Sequence, residues 1–135
     1  MTFSFPQKVL FKHCDPAGIV FFPRYFEMIN DCVEAFFEHI GSPFETMHDG
    51  ASGVPTGQIK ARFHAPSRHG EHLLLTLVGR RLGRSSFDFE IETTSGGEAR
   101  MSYAATLVLI GSDGTSTPWP DALRAGLTPY INNEA

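Results

Sequence analysis

The chain has 135 residues, a length that suits one domain with one core, so a single domain spanning 1–135 is expected. Hydrophobic residues at 41% and charged residues at 19% are ordinary for a globular protein and exclude a disordered composition. A formal charge of −4 argues against nucleic-acid binding, which draws on a surplus of Lys and Arg to displace counterions from phosphates.

No apolar run approaches the ~20 residues that a membrane helix needs. The opening residues Met1-Thr2-Phe3-Ser4-Phe5-Pro6 carry neither a basic nor an apolar signal segment. Cys14 and Cys32 stand outside any metal or disulfide spacing and are expected as free thiols in a reducing compartment. The expected location is therefore the cytoplasm.

In chain order, Gln7 to His13 is predicted as a strand, with Val9 and Phe11 alternating against Lys8 and Lys12. It ends at the turn-forming Asp15-Pro16-Ala17-Gly18. From Pro23 to about Ile40, the residues Phe26, Ile29, Val33, Phe36, Phe37 and Ile40 recur at spacings of three and four, which predicts an amphipathic helix. Pro23 suits the first helical turn, and Gly41 with Pro43 is a stop signal. The polar stripe of Glu27, Asp31, Glu34 and Glu38 reads as a solvated or interface face.

A Gly- and Ser-rich loop follows over residues 49–53, and then four strands are predicted, roughly Gly53–Phe63, Glu71–Arg81, Ser85–Thr94 and Glu98–Ile110. Leu73, Leu75 and Leu77 alternate with Leu74, Thr76 and Val78, and Phe87, Phe89 and Ile91 with Asp88, Glu90 and Glu92. Leu82-Gly83-Arg84 and Ser95-Gly96-Gly97 are hairpin-type connections. One short helix is expected within Pro118 to Arg124. The order implies an α+β arrangement in which one long helix lies across an antiparallel sheet. A helix that is half acidic leaves a face for a partner, and self-association is expected.

Two readings of Asp15 compete. As a turn residue it bonds its own backbone. As a carboxylate just before a helix whose first N–H groups lack partners, it stands where acyl transfer finds both an attacking group and an oxyanion donor. The stretch Cys14-Asp15-Pro16-Ala17-Gly18-Ile19-Val20-Phe21-Phe22-Pro23-Arg24-Tyr25 resembles the signature of the 4-hydroxybenzoyl-CoA thioesterase family: Asp-Pro-Ala-Gly-Ile-Val, two aromatics, Pro, any residue and Tyr. The resemblance implies a hot-dog fold, a five-stranded antiparallel sheet wrapped around the long helix, with the active site at a subunit interface.

By that resemblance Asp15 is the catalytic carboxylate and the backbone N–H of Phe22 the oxyanion donor. The substrate is an acyl-CoA, and no cofactor is implied beyond the coenzyme A that the substrate carries. Asp15 attacks the thioester carbonyl to form a mixed anhydride or acts as general base for water, and both routes stay open. The acyl pocket is expected from Ile19, Val20, Phe21 and Tyr25, with Asn30 farther along the helix; such apolar walls suit an aromatic or medium-length acyl group. Two positions depart from the family pattern. Many members have an acid at the position of His13, and in the hydroxybenzoyl enzymes an acid at the position of Asn30 meets the ring hydroxyl. A neutral Asn30 therefore bears on the 4-hydroxybenzoyl specificity and leaves hydrolysis untouched.

The basic run Arg80-Arg81-Leu82-Gly83-Arg84-Ser85 stands out in an acidic chain, and Arg suits bidentate phosphate contacts. The family binds CoA near this hairpin, so Arg80, Arg81, Arg84 and Ser85 are the expected CoA contacts. His64, His69 and His72 lack the accompanying ligand pattern of a metal site, and none is expected. Gly50-Ala51-Ser52-Gly53 lacks the Gly-x-Ser-x-Gly form of a serine hydrolase. Short-chain or branched acyl-CoA is the alternative substrate, and a hot-dog module that binds a thioester without cleaving it is the alternative class. The oligomer is expected to be a homodimer or homotetramer, with neither nucleic acid nor membrane as a partner.

Overall fold

The computed structural model describes residues 1–47 and 52–132. Its first strand, β1 (Phe3–Lys8), lies earlier than the alternation predicts. The residues expected to finish a strand instead form a 3-10 turn, Phe11–His13. The cause is local: the Leu10 N–H donates to His13 Nδ1 at 2.9 Å, which curls the backbone away from the sheet. Pro6 is tolerated because β1 is an edge strand.

The long helix α1 (Phe22–His39) begins within a residue of its predicted start. It buries Tyr25, Met28, Ile29, Cys32, Val33, Phe36 and Phe37, a stripe at the spacing of three and four. A one-turn helix α2 (Phe44–Met47) and a two-residue strand β2 (Ser52–Gly53) follow, the latter paired with β7 (Ile110–Gly111). Residues 49–51 of the expected Gly- and Ser-rich loop lie outside the described residues. The main strands are β3 (Thr56–Phe63), β4 (His72–Leu82), β5 (Ser86–Ser95) and β6 (Glu98–Val108). They form one antiparallel sheet with β1 in the order β1-β4-β5-β6-β3.

This is the α+β hot-dog arrangement. The inner face carries Leu73, Leu75, Leu77, Phe87, Phe89, Ile91, Met101, Tyr103, Ala105 and Leu107, all buried against α1. At ~25 cal/mol per Å² of apolar area, this continuous surface is the main stabilising term. Phe36 anchors the contact, stacked on Phe87 at 6.1 Å and edge-on to Tyr130 at 4.9 Å.

Three details matter for the site. The eight residues of β3 are exposed except for half-buried Ala61, because β3 is the last strand and one of its edges is open. At the border of β5 and β6, Thr93 pairs with Met101 and Thr94 with Ala99, so Arg100 is an extra residue on β6. Such a bulge re-aims a side chain, and Arg100 and Met101 are buried in succession. The expected C-terminal helix is α3 (Asp121–Leu127), three residues later than predicted because Pro118 and Pro120 keep the approach extended. The chain then crosses β4 at Gly79, where the Asn132 N–H donates to the Gly79 carbonyl at 2.7 Å.

Candidate active site

Residues 13–21 fold back on themselves as a tight hairpin. The Phe21 N–H donates to the His13 carbonyl at 2.9 Å, Cys14 bridges Val20, and the Asp15 N–H donates to the Ile19 carbonyl at 2.9 Å. The tip is closed by Gly18, whose N–H donates to the Asp15 carbonyl at 2.9 Å and whose φ of +81° favours glycine. Asp15 Oδ1 accepts the Ala17 N–H at 2.8 Å. The turn reading of Asp15 is thus physically real, and it leaves Oδ2 available to a substrate.

From the hairpin the chain enters α1 with Phe21 at the N-cap, and no side chain caps the helix. Pro23 lacks an N–H, and the Arg24 N–H donates to the Phe21 carbonyl at 2.8 Å. The Phe22 N–H has no acceptor among the described residues. It sits at a helix start whose first turn contains no acid, where the backbone dipoles sum to about half a positive charge. A carboxylate and an unpaired amide donor are therefore brought to the same end of the helix.

His13, beside this pair, is buried at 4% exposure. Burial, followed by the charge of Lys12, pushes its pKa below the ordinary value, consistent with a neutral ring that accepts from Leu10. Its ring ties down the 3-10 turn that leads into the hairpin, and its carbonyl closes the hairpin on Phe21.

The expected acyl-pocket residues do not gather in one place within the chain. Val20 and Tyr25 are core residues, Ile19 bridges Arg68, and Phe21 is half exposed on the surface. A cavity of about 770 Å³ lies farther along α1, lined by Phe26, Asn30, Val33, Ile59, Tyr103 and Leu107 among others. Of the five expected residues, only Asn30 lines it. An aromatic row connects cavity and helix start: Phe22 to Phe63 at 6.1 Å, Phe63 to Phe26 at 6.4 Å and Phe26 to Tyr103 at 6.2 Å.

The arginine run lies at the opposite end of the sheet from Asp15. Gly18, in the Asp15 turn, is tied to His69 just before β4, whereas Arg84 follows the far end of β4. Eleven residues of strand put about 35 Å between those ends. Arg80 is paired with Glu90 and donates to the Asn132 carbonyl at 2.7 Å. Arg81 and Arg84 are exposed, and Ser85 is half buried with its carbonyl accepting from Leu109. The three histidines have separate surroundings: His64 bonds Ser102 at 2.8 Å, His69 meets the Phe11 ring at 5.9 Å, and His72 opens β4.

A buried polar cluster that neither motif nor periodicity announces lies under the hairpin. Tyr25 Oη donates to Ser67 Oγ at 2.8 Å, and Arg100 Nη1 donates to the same oxygen at 3.1 Å. Arg100 also holds Glu71 through two bonds of 2.9 and 3.0 Å. The Arg100 bonds, aided by the Arg68 N–H, bring the Glu71 carboxyl down to about 2. Burial pushes the Tyr25 hydroxyl up. Alternation places Arg100 on the outer face with Ser102, Ala104 and Thr106, and only the bulge turns it inward.

A family model described as the thioesterase-like superfamily matches residues 9–127. The 4-hydroxybenzoyl-CoA thioesterase of Pseudomonas sp. (strain CBS-3) is 26% identical over 106 residues, 74% of this chain and 75% of that one. Among solved structures, a gentisyl-coenzyme A thioesterase superposes with a TM-score of 0.85 at 25% identity, over 92% of this chain and 98% of that one. A protein from Staphylococcus aureus solved in complex with CoA superposes at 0.91 with 15% identity, over 100% of this chain and 87% of that one. At that identity the last likeness speaks for the fold.

Proposed function

The chain belongs to the thioesterase-like superfamily and is a thioester hydrolase, and we propose that it cleaves acyl-CoA, with an aromatic acyl group preferred, to free acid and CoA. One observation carries the reading: the Asp15 carboxylate and the unpaired Phe22 N–H stand at the same helix start. The carboxylate attacks the thioester carbonyl to form a mixed anhydride that water then hydrolyses, or draws a proton from water that attacks the carbonyl directly, and the amide receives the charge that develops on the carbonyl oxygen. The thiolate of CoA leaves in either route, and no cofactor is needed.

The active unit in this reading is a homodimer. An open edge strand carrying half-exposed Ile59 and Phe63 is an unfinished surface that a second β3 would complete. Antiparallel pairing sets the Phe63 end of one β3 beside the Thr56 end of the other. Asp15 and Phe22 belong to the first end, and the cavity with Asn30 opens at the second. The acyl group then lies between Asp15 of one protomer and Asn30 of the partner subunit. The sheet end that carries Arg81 and Arg84 is also the Thr56 end, so pairing brings the partner's arginines toward the nucleotide of a CoA bound at Asp15. Mostly apolar walls, with the Asn30 amide and the hydroxyls of Ser52, Thr56 and Ser112 but no charged side chain among the described lining residues, favour a neutral aromatic acyl group over an anionic one.

The test is release of free thiol from benzoyl-, hydroxybenzoyl-, phenylacetyl-, butyryl- and palmitoyl-CoA, with the particle mass measured by sedimentation. Turnover fastest on the aromatic esters by a dimeric or larger species is expected. Saturable binding of these esters with no thiol release would overturn hydrolysis, and full turnover by a monomer would overturn the shared site.

A further inference from the structure

Ser67 belongs to the connection between β3 and β4, far in sequence from the hairpin, and its exposure is 0%. Its carbonyl accepts the Val20 N–H at 2.8 Å, on the hairpin limb that leads from Asp15 to the helix. Its hydroxyl accepts from Tyr25 at 2.8 Å, nearly one turn into α1. One residue therefore grips the chain on both sides of Phe22.

The hydroxyl is itself held. Arg100 reaches Ser67 Oγ and the Pro66 carbonyl at 3.1 Å each, and is fixed by Glu71 and by Glu98, whose carboxylate is 2.7 Å from Arg100 Nε. Glu71 also accepts the Arg68 N–H at 2.5 Å, and Arg68 bridges Ile19. The bulge that adds Arg100 to β6 turns this side chain inward. Burying an arginine carries a desolvation penalty that an apolar side chain would avoid, so such a group fixes direction more than it adds stability.

We infer that Ser67 is a positioning residue for hydrolysis: by clamping Val20 and Tyr25, with Arg100 orienting its hydroxyl, it fixes the Phe22 N–H relative to the Asp15 carboxylate. The inference rests on the reading of Asp15 and Phe22 as the hydrolytic pair. Reacting groups displaced by about 1 Å lose on the order of 10²-fold in rate, so a clamp at this point has leverage that its distance from substrate hides.

Tyr25→Phe is the cleanest probe, because it removes one hydroxyl and keeps the ring that meets Phe63 at 5.7 Å. In the full chain, kcat on the best aromatic ester is expected to fall roughly 10- to 100-fold with KM within about twofold. Ser67→Ala should fall similarly, the double variant no further than either single one, and Ser67→Thr should recover part of the loss. Hydrogen exchange at the Val20 and Phe21 amides should quicken in Tyr25→Phe, while β5 amides stay at wild-type rates. An unchanged kcat in Tyr25→Phe, or a loss appearing in KM alone, overturns the clamp. Should Asp15→Asn retain wild-type turnover, the hydrolytic reading fails separately; the clamp is then judged by exchange, and unaltered Val20 and Phe21 protection overturns it.

Discussion

Asp15→Asn separates the two roles that one side chain combines. The turn needs an oxygen at the position of Oδ1 to accept the Ala17 N–H at 2.8 Å, and an asparagine supplies the same oxygen in the same place. The remaining bonds, Gly18 N–H to the Asp15 carbonyl and Asp15 N–H to the Ile19 carbonyl, are backbone and survive. Stability should therefore stay within about 0.5 kcal/mol of wild type. The amide can neither attack a thioester nor take a proton from water, and removal of such a group lowers kcat by roughly 10²- to 10⁴-fold. That is about 2.7–5.4 kcal/mol of barrier at 1.36 kcal/mol per tenfold. Asp15→Ala removes the turn bond as well and should add about 0.5–1.5 kcal/mol of destabilisation. The assay pairs thiol release from the best aromatic ester with urea midpoints for the three proteins. An Asp15→Asn protein that keeps more than about a tenth of wild-type kcat would refute the catalytic role, since it would leave Asp15 as a turn former alone.

Acid should weaken the fold through Glu71. Its carboxyl is held at about 2 against an ordinary 4.5, chiefly by Arg100, so its contribution is full above pH 4.5 and disappears as pH falls through about 2. The side chain is one-third exposed, which discounts the effect to about 1–2 kcal/mol; urea midpoints from pH 6 to 2 should fall less steeply in Glu71→Gln, and an identical slope would remove Glu71 as the cause. Arg81→Ala with Arg84→Ala should raise KM for CoA esters while leaving a truncated N-acetylcysteamine thioester unaffected, and equal losses on both substrates would count against phosphate contact. Gly79→Ala should destabilise by about 1–3 kcal/mol, because the added Cβ would sit 2.8 Å from the Phe87 ring and 2.9 Å from Ile131; a urea midpoint unchanged from wild type would show that the C-terminal crossing yields freely.

What could be read in the chain before its fold was known follows from how local each feature is. The α1 stripe was legible because one helix face meets one sheet, which imposes a period along consecutive residues. β1 was placed late because the event that ends it is a ring nitrogen of His13 taking a backbone N–H, a contact that alternation does not encode. Arg100 went unnoticed for the same kind of reason: its inward turn depends on a bulge, and a bulge shifts register without leaving a composition signal. The motif around Asp15 was legible as a family resemblance but not as geometry, because the bonds that hold its hairpin join backbone groups.

That gap in geometry bears on how the site is assembled. Within one chain, the sheet separates what a CoA thioesterase must hold together: the carboxylate and amide donor stand at the Phe63 end, the cavity and exposed arginines toward the Thr56 end. No rotation of side chains closes the roughly 35 Å of strand between Asp15 and the arginines. A two-fold pairing of open β3 edges inverts one sheet relative to the other, and so juxtaposes the halves without moving either. On the proposed reading, the exposed Ile59 and Phe63 are then part of the active site's construction, and breaking the β3 edge should abolish turnover while each protomer keeps its core.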